Sequence, residues 1–295
     1  MVPGCLTIAT SDSGGGAGIQ ADLKAFAAGG CHGMSALVAL TAQNTVGVTA
    51  IHELPPEFVT AQLEAVFDDL GVDAAKTGML FSARLIETVA DFLERHSVPL
   101  VVDPVMVASS GARLLEEDAV ETLIERLLPL ATVVTPNLAE AQVLAGVKQQ
   151  TVTKFDTASR ASAADGSAVF GKQQTVTKSE LAERIHALGA PAVIVTGGHG
   201  VPVDHFFDGE RHVEIPIERH DVGDTHGAGC THSATLCAAL ARGLSLEDAA
   251  RTAAAAASEA VAHGLADLGA GEGPVDVLNL KERREHDPVH AGYRR

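Results

Sequence analysis

Short apolar runs alternate along this chain with longer stretches of helical periodicity, and that alternation restricts the folds open to it. Residues 6–9, 74–76, 100–103, 132–135 and 192–195 are runs of three or four mostly apolar residues. Such lengths suit strands covered on both faces. Between the runs, apolar side chains recur every three or four positions. Val59, Leu63, Val66, Phe67 and Leu70 make one set, and Leu85, Ile86, Val89, Phe92 and Leu93 another. The first run leads through a Gly-rich turn into a helical pattern over 17–28. Strands alternating with helices build a mostly parallel sheet with helices on both sides. Polar residues follow the strands at Asp103-Pro104, Pro136-Asn137 and Gly197-Gly198-His199. Ligands of open α/β sheets bind beyond the carboxyl ends of strands, so a site is expected there.

The charge balance narrows the partners. A formal net charge of −17 disfavours non-specific binding to nucleic acid or anionic membranes, and the acid excess suits a salt-rich cytosol. Cys5, Cys31, Cys230 and Cys237 lack CxxC spacing and read as reduced intracellular thiols. Neither a signal peptide nor a run of about 20 apolar residues is seen. A cytoplasmic location is expected.

One segment interrupts the order. Lys-Gln-Gln-Thr-Val-Thr-Lys occurs at 148–154 and again at 172–178, around a Ser/Ala/Gly/Asp-rich stretch. Residues 148–178 read as a local duplication lengthening a flexible surface loop. Thr177 and Glu180 have capping-box spacing ahead of a helix. Residues 1–280 are expected to form one domain, and the polar tail 281–295 to be frayed.

Two glycine-rich turns carry the chemistry. Asp224-Thr225-His226-Gly227-Ala228-Gly229-Cys230-Thr231 opens an Ala-rich helical pattern. A helix start with turned-in amides binds anions, most often phosphate. Cys230 stands at its mouth, where a thiol is expected to have a lowered pKa. Upstream, Gly16, Gly18 and Ala21 fit the dinucleotide fingerprint G-x-G-x-x-A. That fingerprint calls for an acid about 20 residues on, and none occurs between Asp22 and Glu53. No P-loop is present either.

Taken in order, these motifs resemble the hydroxymethylpyrimidine/phosphomethylpyrimidine kinases of thiamine biosynthesis, in the ribokinase superfamily. The resemblance rests on Ser11-Asp12 with Gly15 to Lys24, on Gly33-Met34-Ser35 and on Leu40 to Thr45. It continues through Lys76-Thr77-Gly78-Met79-Leu80, Asp103-Pro104-Val105-Met106, Thr135 to Glu140, Gly197-Gly198-His199, Thr225 to Thr231 and Gly271 to Val275. It implies a three-layer α/β/α ribokinase-like fold, with a mostly parallel central sheet and a small lid around 30–51. It also implies ATP, Mg²⁺, and phosphorylation of an aminopyrimidine and then of its monophosphate. On this resemblance Cys230 is the general base, and Gly227, Ala228 and Gly229 stabilise the transferred phosphoryl group. Gly16, Asp22, Gln43, Met79 and Val105 bind the pyrimidine, with Asp22 and Gln43 hydrogen-bonded to its ring. Asn137, Thr196, Gly198 and Thr225 lie on the nucleotide side, and Glu140 with Asp103 serves Mg²⁺. A homodimer is plausible among relatives. Thr196 replaces the family's usual lysine, and Asp224 and Ala228 replace the usual Asn and Thr. The rival readings are a pyridoxal kinase of the same fold, a catalytically silent pyrimidine-binding sensor and, more distantly, a Rossmann dehydrogenase.

Overall fold

A computed structural model describes residues 1–106, 115, 117–147, 176–197 and 201–285. The chain runs β1 (Gly4–Asp12), α1 (Gly18–Ala28), β2 (His32–Gln43), β3 (Val48–Glu53), α2 (Pro56–Asp69), β4 (Ala74–Thr77), α3 (Ala83–Leu93) and β5 (Leu100–Val102). After α4 (Glu117–Thr122), which continues through a π-helical and a 3-10 turn, come β6 (Val133–Val134), α5 (Leu138–Leu144), α6 (Lys178–Ala187) and β7 (Val193–Val195). The chain then forms β8 (Val203–Phe207), β9 (His212–Pro216), α7 (Ala228–Ala241), α8 (Leu246–Ala262) and α9 (Leu280–Glu285).

The nine strands form one sheet in the order β3-β2-β1-β4-β5-β6-β7-β8-β9. Neighbours from β2 through β7 are parallel, while β3, β8 and β9 are antiparallel additions at the two edges. The order of connection reverses at β1, between β2 and β4. Such a switch point opens a crevice at the carboxyl ends of the strands. Side chains alternate across each strand, so the sheet has two cores. Leu6, Ile8, Leu63, Leu85, Ile86 and Val102 belong to the core under α2–α6. Cys5, Phe26, Ala74, Val101, Leu236 and Ala253 belong to the core under α1, α7 and α8. The second is built largely from alanines, which let α7 and α8 approach closely. This is the expected three-layer α/β/α architecture. No helix among the described residues is long and apolar enough to cross a membrane.

Two expectations shift. The lid does not begin at residue 30, because β2 runs beside β1 and buries Met34, Ala36 and Val38. β2 stays paired with β1 through Leu40 and Thr41, and the hairpin from Ala39 to Glu53, paired antiparallel, forms the edge of the sheet. Its tip already rests on the loop after α8, where the Gly271 N–H donates to Thr45 Oγ1 at 3.2 Å. The polar tail starts as helix α9 rather than as a frayed end, and residues 286–295 lie outside the described residues. Most of the duplicated segment, 148–175, also lies outside them. Its flanks are fixed, since Val147 and Val176 both pack against the larger core. Thr177 forms the expected capping box with Glu180 at the start of α6.

Candidate active site

The first turn of α7 and the Gly-rich loop after β1 are in direct contact. Gly227 caps α7 with φ at +84°, and a Cβ there would collide with the Gly16 carbonyl oxygen. A Cβ on Gly16 would in turn collide with the His226 ring. The position at 227 therefore demands glycine twice over, for its backbone conformation and for its closeness. Asp12, the last residue of β1, organises the facing loop. Its carboxylate accepts from the amides of Gly14 at 2.7 Å, Gly16 at 3.0 Å and Ala17 at 2.9 Å. His226 Nε2 lies 3.2 Å from Asp12 Oδ2 and links the two turns. Burial by itself would raise the Asp12 carboxyl; the His226 contact and the amides outweigh it and hold it below the usual carboxylate range. Because these amides serve Asp12, they are not free to cradle a dinucleotide pyrophosphate.

On α7 itself the Ala228 amide turns back to Thr225 O at 3.0 Å. The amides of Gly229 and Cys230 have no carbonyl partner among the described residues, as expected for orphan donors in a first helical turn. The Gly227 amide likewise has no carbonyl partner among the described residues, so the candidate nest spans Gly227, Gly229 and Cys230, with the Ala228 amide turned away.

Beneath it lies a buried cation. Thr7 and Lys76 are direct neighbours on β1 and β4 and share the face of Cys5 and Ala74, toward α1 and α7. Lys76 is 0 % exposed; its Nζ lies 2.9 Å from Asp22 Oδ1 and 3.6 Å from Asp103 Oδ2. Asp22, on α1, is also 0 % exposed, and its second oxygen accepts from Thr7 Oγ1 at 2.6 Å. Asp103 follows β5 and accepts from Ser233 Oγ at 2.8 Å. Burial would lower the Lys76 ammonium, but Asp22 and then Asp103 reverse this and keep it protonated. The expected contact between Asp22 and a substrate ring is therefore corrected. Asp22 is enclosed, with each oxygen engaged by the protein, and it acts on the site through Lys76.

Cys230 is half-buried, whereas Cys5, Cys31 and Cys237 are buried. Burial pushes the Cys230 thiol up to about 12; Lys76 and the Gly18 amide oppose this, while Asp22 and Asp103 add to it. The low pKa expected from its place at a helix start is not found.

Other expected residues gather along the carboxyl edge of β5 to β7. Asn137 caps α5, accepting from the Glu140 amide at 3.0 Å, while Glu140 Oε2 accepts from the Asn137 amide at 2.9 Å. Burial, helped by Asp103, raises the Glu140 carboxyl to about 8 against the amides of Asn137 and Met106. Thr196 follows β7, its amide bound to Pro136 O at 2.9 Å; Gly198 lies outside the described residues. Met79 is buried after β4 and its carbonyl accepts from Thr10 Oγ1 at 3.0 Å, while Val105 is half-buried. The Thr225 hydroxyl is committed to Glu272.

A cleft of about 300 Å³ lies under the hairpin tip, lined by Gln43, Asn44, Thr45, His226 and Glu272 among others. Of the residues expected to meet substrate, Gln43 alone lines it. Cys230, Met79 and Val105 are not part of its wall.

The donor set was tested against Mg²⁺. This ion is usually held by one or two carboxylates together with substrate phosphates and retained waters. Glu140 and Asp103 interact as like charges, and the Thr135 hydroxyl, at the end of β6, is buried without a partner. Among the described residues no group of three or more His, Cys, Asp or Glu forms a metal cage. The residues fit a cation shared with phosphates.

Sequence reasoning quoted Lys76 within a motif but gave it no role, and it passed over the pairing of Asp12 with His226. A lysine in the apolar run Ala74-Ala75-Lys76-Thr77 was the available signal, since buried lysines require partners.

Fold and site together define a ribokinase-like kinase. The phosphomethylpyrimidine kinase family profile matches residues 12–174 and 167–276, and the chain belongs to that family. It is 48% identical to the hydroxymethylpyrimidine/phosphomethylpyrimidine kinase of Rhizobium meliloti, over 92% of this chain and 95% of the relative. Among solved structures, Bacillus subtilis pyridoxal kinase in its ADP complex aligns with a TM-score of 0.80 and 34% identity, over 95% of this chain and 99% of that one. Phosphomethylpyrimidine kinase from Clostridium difficile aligns with a TM-score of 0.68 and 36% identity, over 85% and 96%.

Two outcomes follow from this geometry. Lys76→Met leaves Asp22 and Asp103 buried without their cation and should destabilise the protein by about 3–5 kcal/mol, measured by urea unfolding; a loss below about 1 kcal/mol would show that the carboxylates need no partner. A thiol with a raised pKa stays protonated through neutral pH, and its thiolate fraction grows until the pKa is reached. Labelling of Cys230 by iodoacetamide, followed by mass spectrometry, should therefore climb about tenfold per pH unit from pH 7 to 10. A plateau near pH 7 would return control of the thiol to the helix start.

Proposed function

We propose that the protein transfers the γ-phosphoryl group of ATP to the 5-hydroxymethyl group of 4-amino-5-hydroxymethyl-2-methylpyrimidine, and then phosphorylates that monophosphate, in thiamine diphosphate biosynthesis. The observation that carries the reading is 48% identity, across nearly the full length of both chains, to a relative bearing that name. The site supplies compatible chemistry. Gln43 offers an amide donor and acceptor side by side to a ring under the hairpin. Gly229 and Cys230 present amides to the phosphoryl oxygens, where charge develops in the transition state. Asn137, Thr196, Gly198 and Thr225 lie on the nucleotide side. Glu140 and Asp103 would hold Mg²⁺, which supplies positive charge to the phosphates when bound.

Cys230 would act in its minority thiolate form, which Lys76 and the Gly18 amide favour against burial, and in that form Sγ accepts the proton of the substrate hydroxyl. As the new O–P bond forms, the bond from the γ-phosphorus to the β-γ bridging oxygen breaks and ADP leaves. Phosphoryl transfer depends mainly on positioning and charge stabilisation, so the nest carries more of the acceleration than the base. Pyridoxal is a second reading, because solved pyridoxal kinases align with this fold at TM-scores of 0.77 to 0.80.

The test is incubation with ATP, Mg²⁺ and either hydroxymethylpyrimidine or pyridoxal, following ADP and each product. Sequential pyrimidine mono- and diphosphate is the expected outcome, with Cys230→Ala losing roughly two to four decades in kcat at little changed KM. Pyridoxal phosphate without pyrimidine turnover would replace the first reading by the second. Undiminished kcat in Cys230→Ala would remove the cysteine from the mechanism.

A further inference from the structure

A second acid–imidazole pair lies among residues that have no role so far. Asp204 is on β8, and His232 is on α7, two residues beyond Cys230; they are 2 % and 5 % exposed. His232 Nε2 lies 3.1 Å from Asp204 Oδ2, while the Gly197 N–H donates to Asp204 Oδ1 at 2.6 Å. One carboxylate thus holds two elements, the turn leaving β7 and the helix that carries the anion nest. Gly197 lies between Thr196 and Gly198, the positions assigned to the nucleotide side.

The fold has little need of this link. β7 and β8 are already paired antiparallel through Val193–Phe207, Ile194–Phe206 and Val195–His205. A buried ion pair is weak evidence for stability, and apolar side chains of similar volume often do as well or better. His232 Nδ1 is moreover buried without a hydrogen-bond partner, which costs stability. What the pair uniquely supplies is a fixed separation between two loops. Burial would raise the Asp204 carboxyl; His232 and the Gly197 amide outweigh it and keep Asp204 ionised, with the Lys178 ammonium adding to the effect.

The geometry points to Asp204 and His232 as a positioning pair. It holds Gly197, just beyond β7, at a set distance from the first turn of α7, so that phosphates of a nucleoside triphosphate bound beside Thr196 and Gly197 reach the Gly229 and Cys230 amides. This inference rests on the reading of those loops as the ATP site. Neither residue touches the reacting atoms.

The experiment compares wild type with His232→Phe, His232→Leu and His232→Gln. Binding of the non-hydrolysable analogue AMP-PCP with Mg²⁺ is measured by calorimetry without acceptor, together with KM for ATP, KM for the pyrimidine, kcat and the urea midpoint. The apolar variants should bind AMP-PCP roughly tenfold to a hundredfold more weakly, as expected for groups displaced by about 1 Å. KM for ATP should rise in step, with KM for the pyrimidine within about twofold of wild type and the urea midpoint unchanged or higher. His232→Gln, whose amide can donate to the same oxygen, should recover most of the affinity. Unchanged AMP-PCP affinity in whichever apolar variant folds would overturn the inference. So would a parallel loss of both KM values and of stability, or no recovery with Gln. If wild type binds AMP-PCP but phosphorylates no pyrimidine, the substrate reading falls while the calorimetric comparison still decides the pair. A wild type that does not bind AMP-PCP overturns the inference as well.

Discussion

A positive charge sealed inside the molecule sets the terms for much of this structure. The Lys76 ammonium is tolerable in the interior only because Asp22 and Asp103 reach it, since an isolated buried ion is prohibitively costly. Those carboxylates come from α1 and from the end of β5, so the cation ties both to β4. Thr7 extends the network to β1, and Ser233 extends it to α7. Five elements therefore converge on one point directly below Cys230. The crevice at the switch point between β1 and β4 has a floor made of charge rather than of packed hydrocarbon.

Above that floor, α7 is secured from both sides. Asp12 and His226 tie its approach to the loop after β1, and Asp204 and His232 tie its second turn to the sheet edge beyond β7. Gly227, pressed against Gly16, removes the remaining slack. A nest of amides acts as an anion hole only if it is aimed before the anion arrives, and these contacts keep it aimed. The alanine-built interface with α8 completes the support, because small side chains leave little room for one helix to shift against the other.

Much of the architecture was legible because it is written locally. The short buried strands, the periodic helices α2 and α3 and the capping box at Thr177 all depend on residues within a few positions of one another. The Asn137–Glu140 spacing was read only as a nucleotide and metal element, and the structure shows that it is also a capping box. What escaped was non-local. Nothing near Asp22 reveals that its partner lies 54 residues away on another strand. The Cys230 thiol illustrates the same limit: its own helix start argues for a low pKa, and burial in the folded chain, with carboxylates from α1 and β5 adding to it, pushes the thiol up instead. The beginning of the lid was misplaced although the alternation Met34, Ala36, Val38 already marked a strand buried on one face. The edge strands β8 and β9 carried no clear pattern, because aromatic and imidazole side chains replace aliphatic alternation there.

The flanks of the duplicated segment have a consequence for how such a chain can grow. Val147 closes one side and Val176 the other, each seated on the main core, so the number of residues between them is not dictated by the packing at either end. For an unstructured connection, doubling the length costs only about 0.6 kcal/mol in closure entropy. Neither the charged floor nor the mounted helix draws on that stretch in the contacts described. The junction between α5 and α6 is thus held by its two ends, and a change in length between Val147 and Val176 leaves both of those seats on the core in place.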